Sequence, residues 1–107
     1  MIEVTIKRKA GHIKSFMIKG HAGSGPYGHD LVCAAVSAIS IGAVNAVLSL
    51  CEMDLLIDQA GDEGGFLEVT IPDNQEDENA SLLFEGMLVS LETVEQDYGQ
   101  FISISEK

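Results

Sequence analysis

Residues 31–50 form a run of twenty amino acids without a charged side chain, and this run limits the fold more than any other feature. Its length would allow a helix to cross a membrane. Its composition favours another interpretation, because Ala, Ser and Gly are frequent, Asn45 is central, and Asp30 and Glu52 stand where a membrane span would carry aromatic or basic anchors. We therefore predict a buried helix over Leu31–Leu50 whose small residues pack closely on a sheet, with no membrane as a partner.

The residues before this run have the pattern of two strands. Within residues 2–8, apolar side chains at positions 2, 4 and 6 alternate with polar ones at positions 3, 5 and 7, which indicates a half-buried strand. Lys9-Ala10-Gly11-His12 is typical of a tight turn, and a second strand is predicted from about Ile13 to Lys19. The two strands are therefore expected to form a hairpin.

A second strand pair is predicted after the long helix. Asp54–Asp58 is a strand candidate, and Gly61-Asp62-Glu63-Gly64-Gly65 is typical of a hairpin turn. Phe66–Ile71 then alternates apolar and polar side chains, as a half-buried strand does.

Another helix and a last strand complete the chain. The helix is expected to begin behind Asp73 or Asn74 as its cap, to place apolar residues at spacings of three and four, and to end at Gly99. Phe101–Ser105 is the last strand candidate. The order ββαββαβ predicts one α+β domain over residues 1–107, with a mostly antiparallel sheet packed against two helices.

The charge and the cysteine content limit the partners and the compartment. Six Lys and Arg stand against 17 Asp and Glu, for a net charge of −11, and so acidic a chain binds nucleic acid or anionic membranes poorly. Five of the six basic residues fall within residues 1–20, so the remainder either provides solubility or steers a basic partner. With two cysteines and no leader-like apolar segment at the amino terminus, free thiols in the cytoplasm are expected.

Reactive side chains are concentrated between His21 and Cys33. Asp30 is a natural N-cap for a helix that begins at Leu31, so Cys33 falls near the third helical position. Backbone amides and the positive end of the helix dipole there favour a nucleophilic thiolate, and His21, at the end of the preceding strand, would be its base. The alternative is a small buried cysteine beside two surface histidines, His21 and His29.

A nucleotide-binding module is one competing hypothesis. Gly23–Gly28 matches G-x-G-x-x-G after a strand and before a helix, with Glu52 and Asp54 at about the distance of a ribose-binding acid. In dinucleotide-binding folds, however, the helix starts within the motif, and a chain of this length lacks room for two βαβαβ halves.

A zinc-binding module is the other competing hypothesis. Its ligands would be His21, His29, Asp30 and Cys33. The paired C-x₂₋₄-C spacing of structural zinc sites is absent, which weakens this interpretation. Cys51 has no histidine near it in the sequence, and we interpret it as a packing residue.

The same region resembles a known protease family. Gly20-His21-Ala22, the glycine-rich loop and the run Gly28-His29-Asp30-Leu31-Val32-Cys33-Ala34-Ala35-Val36-Ser37 are similar to the signature of the ribosomal-processing cysteine proteases, called Prp. The resemblance extends over the whole chain. It implies a cysteine endopeptidase that removes the N-terminal extension of a large-subunit ribosomal protein and works as a homodimer. We expect no metal and no other cofactor.

The resemblance also implies roles for individual residues. Cys33 would be the nucleophile and His21 the general base. The family does not settle a third catalytic member, for which Asp30 and then Ser37 are the local candidates in this sequence. From the residues themselves we predict a substrate-binding, glycine-rich loop that includes Gly20, Gly23, Gly25, Tyr27 and Gly28. The backbone freedom of its glycines predicts a loop that is mobile without substrate and closes over a bound peptide. Turns that require positive φ are the alternative explanation.

Overall fold

A computed structural model describes residues 1–21, 30–60 and 65–107 of the chain. Its strands and helices follow the order ββαββαβ, which confirms the predicted sequence of elements. In chain order they are β1 (Ile2–Lys9), β2 (His12–Lys19), α1 (Leu31–Leu50), β3 (Leu56–Gln59), β4 (Phe66–Thr70), α2 (Glu78–Tyr98) and β5 (Ile102–Glu106).

The strands form one sheet in the order β3-β4-β2-β1-β5. Three neighbouring pairs are antiparallel, and β1 and β5 are parallel, so the sheet is mostly antiparallel as predicted. The parallel pair arises because α2 carries the chain from β4 past β2 and β1 to the far edge. Similarly, α1 carries the chain from β2 past β4 to β3 at the opposite edge.

One face of the sheet and both helices enclose the hydrophobic core. The even-numbered apolar residues of β1 are buried, and the register places Val4 opposite Ile18 and Ile6 opposite Phe16. On the helix side, Phe84 meets the ring of Phe16 edge to face at a centroid distance of 5.4 Å. The predicted alternation of β1 is thus confirmed, and it is the apolar face of the sheet that the two helices cover.

The helix α1 has the bounds that the uncharged run predicts. Its core-facing side chains are Val32, Val36, Ser40, Val44 and Val47. Ser40 is the polar member of this set, and its hydroxyl donates to the Val36 carbonyl at 2.8 Å, which satisfies it inside the core. By length and composition alone, the helix would also suffice to cross a membrane, and 28% of its apolar window is buried in this domain.

The predicted start of α2 was wrong. The helix begins at Glu78, and its N-cap is Asp77, whose side chain accepts from the amides of Asn79 and Ala80. Asp73 instead binds Lys14 of β2, which donates to its carboxylate. This contact holds the pKa of Asp73 below its ordinary value. The residue predicted as the cap is therefore bound by a lysine that is distant in the sequence.

Several strand boundaries also differ from the prediction by one or two residues, among them the starts of β3 and β5. β3 begins at Leu56 instead of Asp54, whose amide donates to the side chain of Gln75 at 2.8 Å and so lies outside the ladder. β5 begins after Phe101, because the Phe101 amide donates to the Tyr98 carbonyl and closes the end of α2. The turn predicted between β3 and β4 falls mostly on residues outside the described ranges.

Candidate active site

The end of β2 and the start of β4 hold the backbone that leads to His21. The Gly20 amide donates to the Gly65 carbonyl at 2.8 Å, which extends the β2–β4 ladder by one step. Gly20 has φ +97°, and a Cβ there would lie 2.3 Å from the Met1 carbonyl oxygen. Only glycine fits this position, so Gly20 directs His21 away from the sheet.

The first turn of α1 holds Cys33. Asp30 is the N-cap, as predicted, and its carboxylate accepts from the Cys33 amide at 3.0 Å. The Asp30 carbonyl accepts from Ala34 at 3.0 Å and begins the helical ladder. Cys33 is therefore the third helical residue, where the helix dipole favours a negative charge.

His21 and Cys33 line the same cleft. Its volume is about 390 Å³, and it lies between α1 and the sheet ends where β2 finishes and β4 begins. Ser37, one helical turn beyond Cys33, lines the cleft as well. The remaining wall is largely apolar and includes Ile18, Val36, Ile41, Phe66 and Leu67.

The structure adds one residue that sequence reasoning missed. Gly65 lies against the imidazole of His21, and the sequence interpreted it only as part of a hairpin turn. The turn signal was correct in kind, since Gly65 has φ +79°. Its proximity to His21 depends on the pairing of β2 with β4, for which the sequence carries no direct signal.

Several predicted site residues lie outside the described residues. They are Gly23, Gly25, Tyr27, Gly28 and His29. The predictions of a closing loop and of a phosphate-binding glycine motif therefore stay predictions. Within residues 1–21, 30–60 and 65–107, no group of three or more His, Cys, Asp or Glu side chains is placed to hold a metal ion.

Cys51 occupies a different cavity, at the far end of α1. That cavity has a volume of about 400 Å³, and its lining includes Glu52, Asp54, Glu76 and Asp77. Burial, and secondarily the charge of Asp77, raises the pKa of the Cys51 thiol. These surroundings disfavour a thiolate, which agrees with the interpretation of Cys51 as a packing residue.

The cleft therefore combines the groups that nucleophilic catalysis needs. A thiol at a helix N-terminus and an imidazole on a neighbouring strand end face one cavity. A cysteine is activated by such a helix end and by an adjacent histidine. Apolar walls around the two groups suit a peptide side chain better than a phosphate or a metal ion.

Known proteins that this chain resembles are cysteine proteases. A model of the family described as cysteine protease Prp matches residues 1–103. The ribosomal processing cysteine protease Prp of Bacillus subtilis is 46% identical over 102 residues, which cover 92% of this chain and 90% of that protein.

Two solved structures match this chain over its full length. The essential ribosomal processing protease Prp of Staphylococcus aureus, in complex with a covalently linked product peptide, is 39% identical, with complete coverage of both chains and a TM-score of 0.92. The same S. aureus protease in complex with a substrate peptide is 36% identical, again with complete coverage, and gives a TM-score of 0.86.

Proposed function

The chain belongs to the Prp family of cysteine proteases, and we propose that this enzyme removes the N-terminal extension of a large-subunit ribosomal protein precursor. The observation that carries the proposal is the cleft that Cys33 and His21 share. The substrate class follows from the relatives, which are ribosomal processing proteases. That the relatives are proteases favours this function over the zinc-binding and nucleotide-binding alternatives.

The proposed reaction passes through an acyl-enzyme. The Cys33 thiolate attacks the scissile carbonyl carbon, and the tetrahedral intermediate collapses with loss of the C–N bond. His21, as the imidazolium, gives its proton to the leaving amine. Water then attacks the thioester while His21 takes a proton from it, and the C–S bond breaks to release a carboxylic acid and the thiolate.

Asp30 supports this reaction as a positioning residue. Its carboxylate accepts from the Cys33 amide and its carbonyl from the Ala34 amide, so both amides already have partners. An oxyanion therefore needs other donors, and the preceding helical amides, those of Leu31 and Val32, are the nearest along the chain. Ser37 is the second candidate for a supporting role, because it lines the cleft one turn beyond Cys33.

The proposed enzyme is a homodimer that associates through the outer face of α1. That face is uncharged and carries Leu31, Ala34, Ala38 and Leu48, all of them exposed. Each chain has a net charge of −11, so a contact through this uncharged surface avoids placing like charges against each other. Exposed apolar patches of this kind commonly mark protein interfaces.

Sedimentation of two charge variants tests the dimer. Ala38→Glu places a carboxylate on the outer face of α1, and we expect it to shift the protein to monomer at tens of micromolar. Ser103→Glu adds the same charge at an exposed position of β5, outside α1, and is expected to leave the dimer intact. Monomeric wild-type protein, or an Ala38→Glu dimer as stable as wild type, would contradict the proposal.

We expect this enzyme to act in the cytoplasm, without metal, membrane or nucleic acid as a partner. Two free cysteines suit a reducing compartment, and the acidic surface does not favour polyanions. A basic ribosomal precursor, in contrast, carries the charge that an acidic protein attracts.

Precursor cleavage tests the proposed function. Purified wild-type protein should shorten the precursor at one bond, and Cys33→Ala and Cys33→Ser should leave it intact. Cys51→Ala is the matched control, since it removes the other thiol, and it should cleave as wild type does. Cleavage by Cys33→Ala at the wild-type rate would refute the assignment of the nucleophile.

A further inference from the structure

We infer that Gly65 is a positioning residue for His21, which it holds by a backbone hydrogen bond next to the histidine and by contact with the ring. This inference rests on the proposed function, in which His21 is the general base. Gly65 immediately precedes β4 and lines the cleft that His21 and Cys33 share. It is distant from both of them in the sequence.

The ring contact leaves no room for a side chain at Gly65. A Cβ placed there would lie 2.7 Å from Nε2 and 3.1 Å from Cε1 of His21. At 2.7 Å a Cβ would overlap the ring nitrogen, so any other residue would displace the imidazole or the strand. The edge of the His21 ring thus occupies the space where a side chain at position 65 would lie.

The backbone contact restrains the main chain next to the same histidine. The Gly20 amide donates to the Gly65 carbonyl at 2.8 Å, one step beyond the pair Lys19 and Phe66. Gly20 directly precedes His21, so this bond sets where the histidine leaves the sheet. One glycine therefore restrains both the main chain that leads to His21 and the orientation of its ring.

This double contact matters because His21 itself is exposed. An exposed side chain samples several rotamers unless a neighbour restricts it. A general base must lie within hydrogen-bonding reach of the groups whose protons it moves. The contact with Gly65 supplies the restriction that burial would otherwise supply, and it comes from the residue directly before a paired strand.

Gly11 provides a matched control for substitution at Gly65. Both glycines have positive φ, +84° at Gly11 and +79° at Gly65, so alanine introduces similar backbone strain at each. A Cβ at Gly11 meets nothing within 4 Å. Only Gly65→Ala, therefore, also displaces the imidazole. Gly65→Asn is the second variant, because Asn occupies the left-handed region more readily than Ala and so relieves the backbone strain but not the contact.

The test measures precursor cleavage and the pH profile of Cys33 alkylation by iodoacetamide, which peptide mass spectrometry resolves from Cys51. We expect Gly65→Ala and Gly65→Asn to lower kcat by about 10- to 100-fold with little change in KM, as misplacement of a catalytic group does. Their alkylation profiles should move toward that of His21→Ala, whereas Gly11→Ala should match wild type in both measurements.

The outcomes separate this inference from the proposed function. If His21→Ala abolishes cleavage while both Gly65 variants match Gly11→Ala, the positioning role of Gly65 is wrong and the role of His21 stands. If His21→Ala cleaves at the wild-type rate, the proposed base is wrong, and the inference fails with it. Loss of kcat in both Gly65 variants with an unchanged alkylation profile would also overturn the inference, because the ring would not have moved relative to Cys33.

Discussion

The two ends of α1 each carry a cysteine, and they give the two thiols opposite electrostatic surroundings. Cys33 is the third residue of the helix and lines the cleft with His21. Cys51 is the residue that ends the helix, and its amide donates to the Val47 carbonyl at 3.0 Å. One thiol therefore lies where the helix presents amides, and the other lies where it presents carbonyls.

Electrostatics separate the two thiols further. The positive end of the helix dipole favours a thiolate at Cys33, and the negative end disfavours one at Cys51. Around Cys51, burial and the carboxylate of Asp77 raise the thiol pKa. Because both residues are cysteines, their positions in the helix are what favours Cys33 over Cys51 as the proposed nucleophile.

The largest effect is expected from removing the imidazole that shares the cleft with Cys33. His21→Ala should lower kcat by about 10²- to 10⁴-fold, because the leaving amine would lose its proton donor. His12→Ala is the matched control, since the His12 ring bonds to the Ser81 hydroxyl at 2.9 Å in another part of the molecule. Steady-state kinetics on the precursor would measure both, and equal kcat values for the two variants would contradict the comparison.

An intermediate effect is expected in the reactivity of the two thiols. At pH 7 we expect Cys33 to react with iodoacetamide at least about tenfold faster than Cys51, because only the thiolate is a nucleophile. The raised pKa of Cys51 means that its thiolate fraction is low at neutral pH, so its rate should keep rising through the alkaline range. Cys33 should reach its plateau at lower pH.

Asp77→Asn tests how much the Asp77 carboxylate contributes to the raised pKa of Cys51. Removing that carboxylate should lower the pKa of Cys51 and accelerate its alkylation modestly, since burial is the larger cause of the shift. The rate at Cys33 should not change. Faster alkylation of Cys51 than of Cys33 in the wild-type protein would remove the physical basis of the comparison.

The smallest effect is expected from replacing Asp30, the N-cap of α1. Asp30→Ala should lower the free energy of unfolding by about 1 kcal/mol, because the Cys33 amide loses its acceptor. Asn is as good an N-cap as Asp, so Asp30→Asn should keep the stability and most of the activity. Thermal unfolding and precursor cleavage would check the pair. Inactive but stable Asp30→Asn would instead give the charge of Asp30 a catalytic role.

Local signals sufficed for much of the fold. The uncharged run predicted α1 to the residue, and alternation predicted the buried face of β1. Asp30 was predicted as a cap because the residues that decide it are its neighbours in the chain. These features depend on contacts within a few residues, which a sequence displays directly.

The errors arose where distant residues decide the outcome. Asp73 resembles a cap, but Lys14 binds its carboxylate, and Asp77 caps α2 instead. Gly65 resembles a turn residue, and its contact with His21 appears only once β2 and β4 are paired. No periodicity in the sequence specifies such pairing. The family resemblance supplied the substrate class, which the residues by themselves did not.

The most direct test of the central claim is the site of covalent capture by a peptide electrophile. A chloromethyl ketone built on the N-terminal extension, incubated with the folded enzyme, should alkylate one cysteine per chain, and peptide mass spectrometry would locate it. We predict modification of Cys33, with none at Cys51, and loss of labelling in His21→Ala. Modification of Cys51 at a comparable rate, or equal labelling of Cys33→Ala, would contradict the account.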